Sequence, residues 1–222
     1  MRKIEGLKFL LVNFPNLTVD TVFIESEEDI LSEKLKLDES KNQYWRVRSA
    51  SKGNSELRLP MASIYEYEQL MEFIDEQRSK FSDIQFVIHL INDDYFYPNI
   101  TGSLAVYNNE DIPKIVIELQ QVTREMLDNM DVGKRPRDWG ISVCFEYNFL
   151  HKYPQVTKYK DIDIASIKGA ISKLYEVGLK MYELYDSLGI NEASYTRFNI
   201  YDDGSIILND HRSTESFFNK LR

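Results

Sequence analysis

One long amphipathic segment, Ile164 to Leu188, constrains this chain most. Ile164, Ile167, Ile171, Leu174, Met181, Leu184 and Leu188 fall on one stripe at helical spacing, and Gly189 stands where a C-cap belongs. Elsewhere the apolar runs are mostly short and β-rich, so the chain reads as α+β. Gln85 to Ile91 is a strong strand. Thr101–Tyr107 and Lys114–Leu119 read as an antiparallel pair joined through 108–111, and Gly140 to Tyr147 as another strand. Arg197–Tyr201 and Ser205–Asp210 flank Asp202-Asp203-Gly204, the best turn signal present, as a hairpin. Helices are expected over 4–13, 26–35, 63–79, 123–130 and 213–221.

Charge narrows the functions open to such a fold. Against 27 basic residues stand 36 acidic ones, a net charge of −9, which disfavours non-specific binding of nucleic acid. No run of roughly 18 apolar residues could span a membrane. The N-terminus does not fit a signal peptide, so a soluble, cytoplasmic protein is expected. Cys144 is the only cysteine, which excludes an internal disulfide and a Cys-based zinc site. In Ile141-Ser142-Val143-Cys144-Phe145 it reads as a buried small hydrophobe. His89, His151 and His211 are isolated along the chain. The glycine-rich phosphate loop, the dinucleotide fingerprint, the paired-histidine zinc motif and the serine-nucleophile elbow are all absent.

Three groupings carry possible chemistry. Alternation along Tyr44-Trp45-Arg46-Val47-Arg48 puts Tyr44, Arg46 and Arg48 on one face and Trp45 with Val47 on the other. Paired guanidiniums beside the small, polar segment 49–55 suit polyphosphate; they equally suit a solvated strand face or ion pairs. In the terminal hairpin, strict alternation groups Ile206, Leu208 and Asp210 opposite Ile207, Asn209 and His211. Asp210, with Asn199, then offers oxygen ligands to Mg²⁺ or caps a following helix. Glu118, in the apolar run Ile115 to Leu119, faces either a polar cleft or the outer side of an edge strand. Lys134, Arg135 and Arg137 form a basic trio that reads as a solvated loop.

The order of these pieces resembles the ATP-grasp family, most of all the nucleotide-binding part of phosphoenolpyruvate synthase and pyruvate phosphate dikinase. Trp45-Arg46-Val47-Arg48-Ser49-Ala50-Ser51 resembles the family's arginine-bearing, phosphate-binding strand and loop. Phe86 to Ile91 resembles its adenine-pairing hinge strand. Gly102, Ile115-Val116-Ile117-Glu118 and the hairpin with Leu208-Asn209-Asp210-His211-Arg212 follow in the family's order. Asn199 stands where an acid is commoner, and the family's lysine motif is not visible.

The resemblance implies two lobes of mostly antiparallel sheet around a central cleft, 1–84 with the phosphate-contacting strand and 85–222 with the hinge, metal-binding hairpin and terminal helix. It implies ATP and Mg²⁺ as cofactors, Arg48 as the catalytic residue, and Arg46, Arg48, His89, Leu90, Ile91 and Glu118 as nucleotide contacts. Asn199 and Asp210 would be the metal ligands. The implied function is a ligase or phosphotransferase with an unidentified acceptor. The alternative is a non-catalytic interaction protein meeting its partner through segments such as Tyr95-Phe96-Tyr97.

Overall fold

A computed structural model describes residues 3–26, 29, 44–51, 60–91, 98–108, 112–122, 140–151, 153–160 and 162–213. The expected helix over 123–130, the basic trio, the aromatic run 95–97, most of segment 49–55 and the helix beyond Ser213 lie outside these residues. So does most of the helix expected from Ser26. Its start is visible: the Asp29 carboxylate accepts the backbone N–H groups of Glu25 (2.8 Å) and Ser26 (2.7 Å), and the Asp29 N–H donates back to Ser26 Oγ.

The chain divides into two compact units, residues 19–96 and residues 1–18 with 97–222. The lobe boundary implied by the family resemblance is at 84/85. All strand pairings among the described residues are antiparallel, and no described helix is long and apolar enough to cross a membrane.

The smaller unit holds β1 (Thr21–Ile24), β2 (Tyr44–Ser51), β3 (Met61–Ile64), α2 (Tyr67–Lys80) and β4 (Ile84–Ile91). Its sheet runs β1-β4-β2-β3. Val22, Ile24, Trp45, Val47, Phe86 and Ile88 turn to one side and bury Leu70 and Ile74 of α2. Period-2 alternation leaves Tyr44, Arg46 and Arg48 on the other side, as expected. Two boundaries differ from expectation. Residues 63 and 64 close β3 before the helix begins, and 49–51 extend β2 rather than opening a loop.

The larger unit holds α1 (Lys3–Asn13), a 3₁₀ turn at Pro15–Leu17, β5 (Ile100–Tyr107), β6 (Lys114–Gln121), β7 (Val143–Asn148), β8 (Gln155–Lys158), α3 (Lys168–Ser187), β9 (Ser194–Ile200) and β10 (Ile206–Ser213). The six strands run β10-β9-β5-β6-β7-β8. One face, with Leu104, Val106, Ile115, Ile117 and Phe198, packs on α3. The stripe on α3 drifts from the sequence reading: Ile167, Ile171, Leu174, Gly178, Met181 and Tyr185 turn inward while Leu188 is exposed. A turn of 3.6 residues reaches 178 and 185 from 171, and position 188 falls past the contact. A Cβ on Gly178 would stand 2.8 Å from Ile115 Cγ2, so the glycine sets how closely helix and sheet approach.

Both expected glycine turns are present. Gly189 (φ +64°) ends α3 with Ile190 N–H donating to the Tyr185 carbonyl at 2.9 Å, and Gly204 (φ +77°) closes the β9–β10 turn. α1 lies against β10 at Gly6, where an added Cβ would fall 1.9 Å from the His211 carbonyl oxygen.

Candidate functional site

Register decides which side chains meet on the face of the six-stranded sheet opposite α3. β10 carries a bulge between Leu208 and Asp210: Leu208 faces Phe198, while Asp210 faces Arg197 and His211 faces Thr196. Asn209 is the extra residue. It reverses the alternation expected for the hairpin, so Asp210 joins Ile207 on the outer face and His211 joins Ile206 and Leu208 on the inner one. Strict alternation misplaced both residues. The capping role considered for Asp210 also falls, since β10 continues to Ser213.

Successive pairings then give one cross-strand row on the outer face: Cys144, Glu118, Ser103, Arg197 and Asp210. A neighbouring row holds Gln120, Thr101 and Asn199. Three residues singled out from sequence, Glu118, Asn199 and Asp210, thus share one face of one sheet. β6 is internal, flanked by β5 and β7, which excludes the edge-strand reading of Glu118. Ser103 Oγ donates to Glu118 Oε2 at 2.8 Å and holds that carboxylate in place. Asn199 Nδ2 donates to the Tyr201 hydroxyl at 3.3 Å, so only its carbonyl oxygen suits a cation.

Asp210 is only 5% exposed. Its Oδ2 accepts from Arg212 Nε (3.1 Å) and Nη2 (2.9 Å). Its Oδ1 is buried with no hydrogen-bond partner, as is Gln120 Nε2. Buried polar atoms are almost always satisfied, and one carboxylate oxygen left without a donor marks a place for a cation or a donor from outside the protein. No group of three or more His, Cys, Asp or Glu converges among the described residues. An ion here would share its shell with non-protein oxygens, as Mg²⁺ bound to phosphates does. Asp210 Oδ1 and Asn199 fit that role.

Cys144 alternates with the buried Val143 and Phe145 and lies half-buried in this row, a correction to the core position expected of it. Burial pushes its thiol up, and the Glu118 and Glu146 carboxylates push further, so it stays protonated.

On the inner face His211 is fully buried. Tyr185 Oη and Thr196 Oγ1 each lie 2.7 Å from its ring nitrogens Nε2 and Nδ1, and Phe9 stacks on the ring at 4.7 Å. Burial lowers its pKa to about 4 despite the Asp210 carboxylate, and burial pushes the Tyr185 phenol up to about 12.

In the four-stranded sheet, pairing places Thr21, His89, Arg46 and Ser63 in one row and Phe23, Val87, Arg48 and Met61 in the next. Arg46 Nη2 donates to the Tyr44 hydroxyl at 2.8 Å, and its buried Nε makes no hydrogen bond. His89 Nδ1 lies 3.1 Å from Thr21 Oγ1. The expected adenine-pairing backbone of 89–91 is largely occupied. β4 is flanked by β1 and β2, and the Leu90 N–H donates to the Asp20 carbonyl. Leu90 and Ile91 lie beyond the β1 pairing, and of the two Leu90 has its N–H taken by Asp20. Arg197, opposite both Ser103 and Asp210, was not singled out from sequence; only the register reveals its place.

No protein-family model and no curated protein matches the chain. Solved structures do match in backbone. D-alanyl-alanine synthetase A of Vibrio cholerae aligns at a TM-score of 0.52 and 11% identity, over 93% of this chain and 53% of that one. VanG D-Ala:D-Ser ligase of Enterococcus faecalis aligns at 0.49 and 11%, over 96% and 52%. N5-carboxyaminoimidazole synthetase of Staphylococcus aureus, complexed with ADP, aligns at 0.47 and 12%, over 95% and 43%. The chain spans about half the length of the first two structures. The first likeness gives the chain an ATP-grasp fold.

Proposed function

We propose that this chain binds ATP with Mg²⁺ and serves a ligase or phosphotransferase reaction in the cytoplasm, on a small-molecule or protein acceptor. The observation that carries the reading is Asp210 Oδ1, a buried carboxylate oxygen without a partner on a polar sheet face, in an ATP-grasp fold. Asp210 and Asn199 would hold the ion. When bound, Mg²⁺ neutralises phosphate charge and lowers the barrier to its transfer.

The remaining roles belong to the chain. Arg46 and Arg48, side by side on the smaller sheet, match phosphate oxygens with planar N–H forks, and Arg48 is the one assigned to the transferring group. That role rests on the likeness of Trp45 to Ser51 to the phosphate-binding strand of phosphoenolpyruvate synthase. Glu118, oriented by Ser103, and Arg197 complete the polar face of the larger sheet. Ile91 is the backbone assigned to adenine.

Calorimetric titration with Mg·ATP tests the proposal. The unaltered protein is expected to bind, and Arg48→Ala and Asp210→Asn are each expected to weaken binding at least about tenfold, with little change in melting temperature for Arg48→Ala. No heat from the unaltered protein, or full affinity in both variants, removes the reading.

A further inference from the structure

We infer that Arg212 is a resident cation of the Asp210 site, so that the site takes one divalent ion rather than two and holds a nucleoside diphosphate even without metal. This rests on the nucleotide-binding reading above and goes beyond it.

A carboxylate that bridges two metal ions gives one oxygen to each. Asp210 has already committed Oδ2 to both Nε and Nη2 of one guanidinium, which leaves Oδ1 alone for an ion. The guanidinium carries its charge at every accessible pH and cannot be titrated away. The Arg212 and Asp210 side chains are 14% and 8% exposed. Displacing Arg212 with a second ion would strand a largely buried charge, which costs more than the exchange returns. Two residues apart on one strand face, the pair is fixed by the backbone itself.

The charges along the row support the same conclusion. Asp210 and Glu118 are opposed by Arg212 and by Arg197, which sits directly across from Asp210. In a protein of net charge −9, these four charges balance one another before any ion arrives. A polyphosphate approaching it meets fixed positive charge, where a bare acidic pair would repel it until metal bound.

ADP is the probe, titrated calorimetrically in Mg²⁺ and in EDTA, with Mn²⁺ bound per chain counted by electron paramagnetic resonance in the presence of ADP. The unaltered protein is expected to bind one Mn²⁺ and to lose no more than about tenfold in ADP affinity on passing to EDTA. Arg212→Gln is expected to lose at least a further tenfold or so in EDTA, while Arg212→Lys, which keeps the charge, stays within about threefold of the unaltered protein. Because Arg212→Gln leaves Asp210 unpaired and can destabilise the fold, the double variant Asp210→Asn/Arg212→Gln serves beside it and is expected to show the same loss in EDTA. Two Mn²⁺ per chain, or ADP binding that vanishes in EDTA, overturns this inference and leaves nucleotide binding standing. ADP binding that is absent in Mg²⁺ as well overturns both.

Discussion

Asp210 and His211 are neighbours in sequence with opposite fates, and each is defined by what its polar atoms meet. Asp210 keeps one oxygen unsatisfied on the outer face, whereas both ring nitrogens of His211 are engaged inside. The Tyr185 phenol, held in its protonated form, donates to Nε2, and the Nδ1–H then donates to Thr196, whose own hydroxyl reaches the Met181 sulfur at 3.5 Å. A second proton on the ring would break this order. Because the folded pKa of about 4 lies below the ordinary 6.5, the stabilisation from neutral His211 is complete above pH 6.5 and is lost as pH falls towards 4. The loss is on the order of 3 kcal/mol. Urea midpoints measured from pH 7 to pH 4.5 should fall accordingly, and His211→Gln should flatten that dependence.

At the scale of elements, the bulge in β10 does the sorting. Deleting Asn209 removes only the unpaired residue: Asp210 then follows Leu208 directly and stays opposite Arg197 on the outer face, with His211 still inside. ATP affinity should therefore stay within about threefold, and unfolding free energy within about 2 kcal/mol, of the unaltered protein, measured by calorimetry and chemical denaturation. This element also shows where sequence reading succeeds and stops. The β9–β10 turn and the end of α3 were legible because Gly204 and Gly189 answer to local backbone geometry. The shared face of Arg46 and Arg48 was legible because β2 alternates without interruption. Asn209 carries no local mark of a bulge: only pairing against β9 shows it, and with it the true side of Asp210. β8 was missed because all four of its residues are exposed and no apolar alternation reports it. Arg197 was missed for a different reason, since its chemistry comes from Ser103 and Asp210, residues that register brings beside it.

At the scale of the whole molecule, the larger unit is discontinuous: its first segment, 1–18, is separated from the rest by the entire smaller unit. α1 nevertheless belongs to it, with Gly6 against the His211 backbone and Phe9 against the His211 ring. Amides of α1 and β10 should therefore exchange with solvent at similar protected rates, while β8, an exposed edge, exchanges much faster; hydrogen-exchange mass spectrometry reads both. Rapid exchange throughout α1 alone would show that the helix is not part of that cooperative unit.

The interrupted order of the larger unit has a consequence for how the chain is made. On the ribosome α1 emerges long before β10, the strand it covers, has been translated, and its apolar face must wait through the synthesis of nearly everything between. The smaller unit, contiguous in sequence, is free to fold during that interval, since chains tend to fold in the order they appear. The larger sheet closes last, and the interval before closure is when a holdase chaperone would find α1 uncovered.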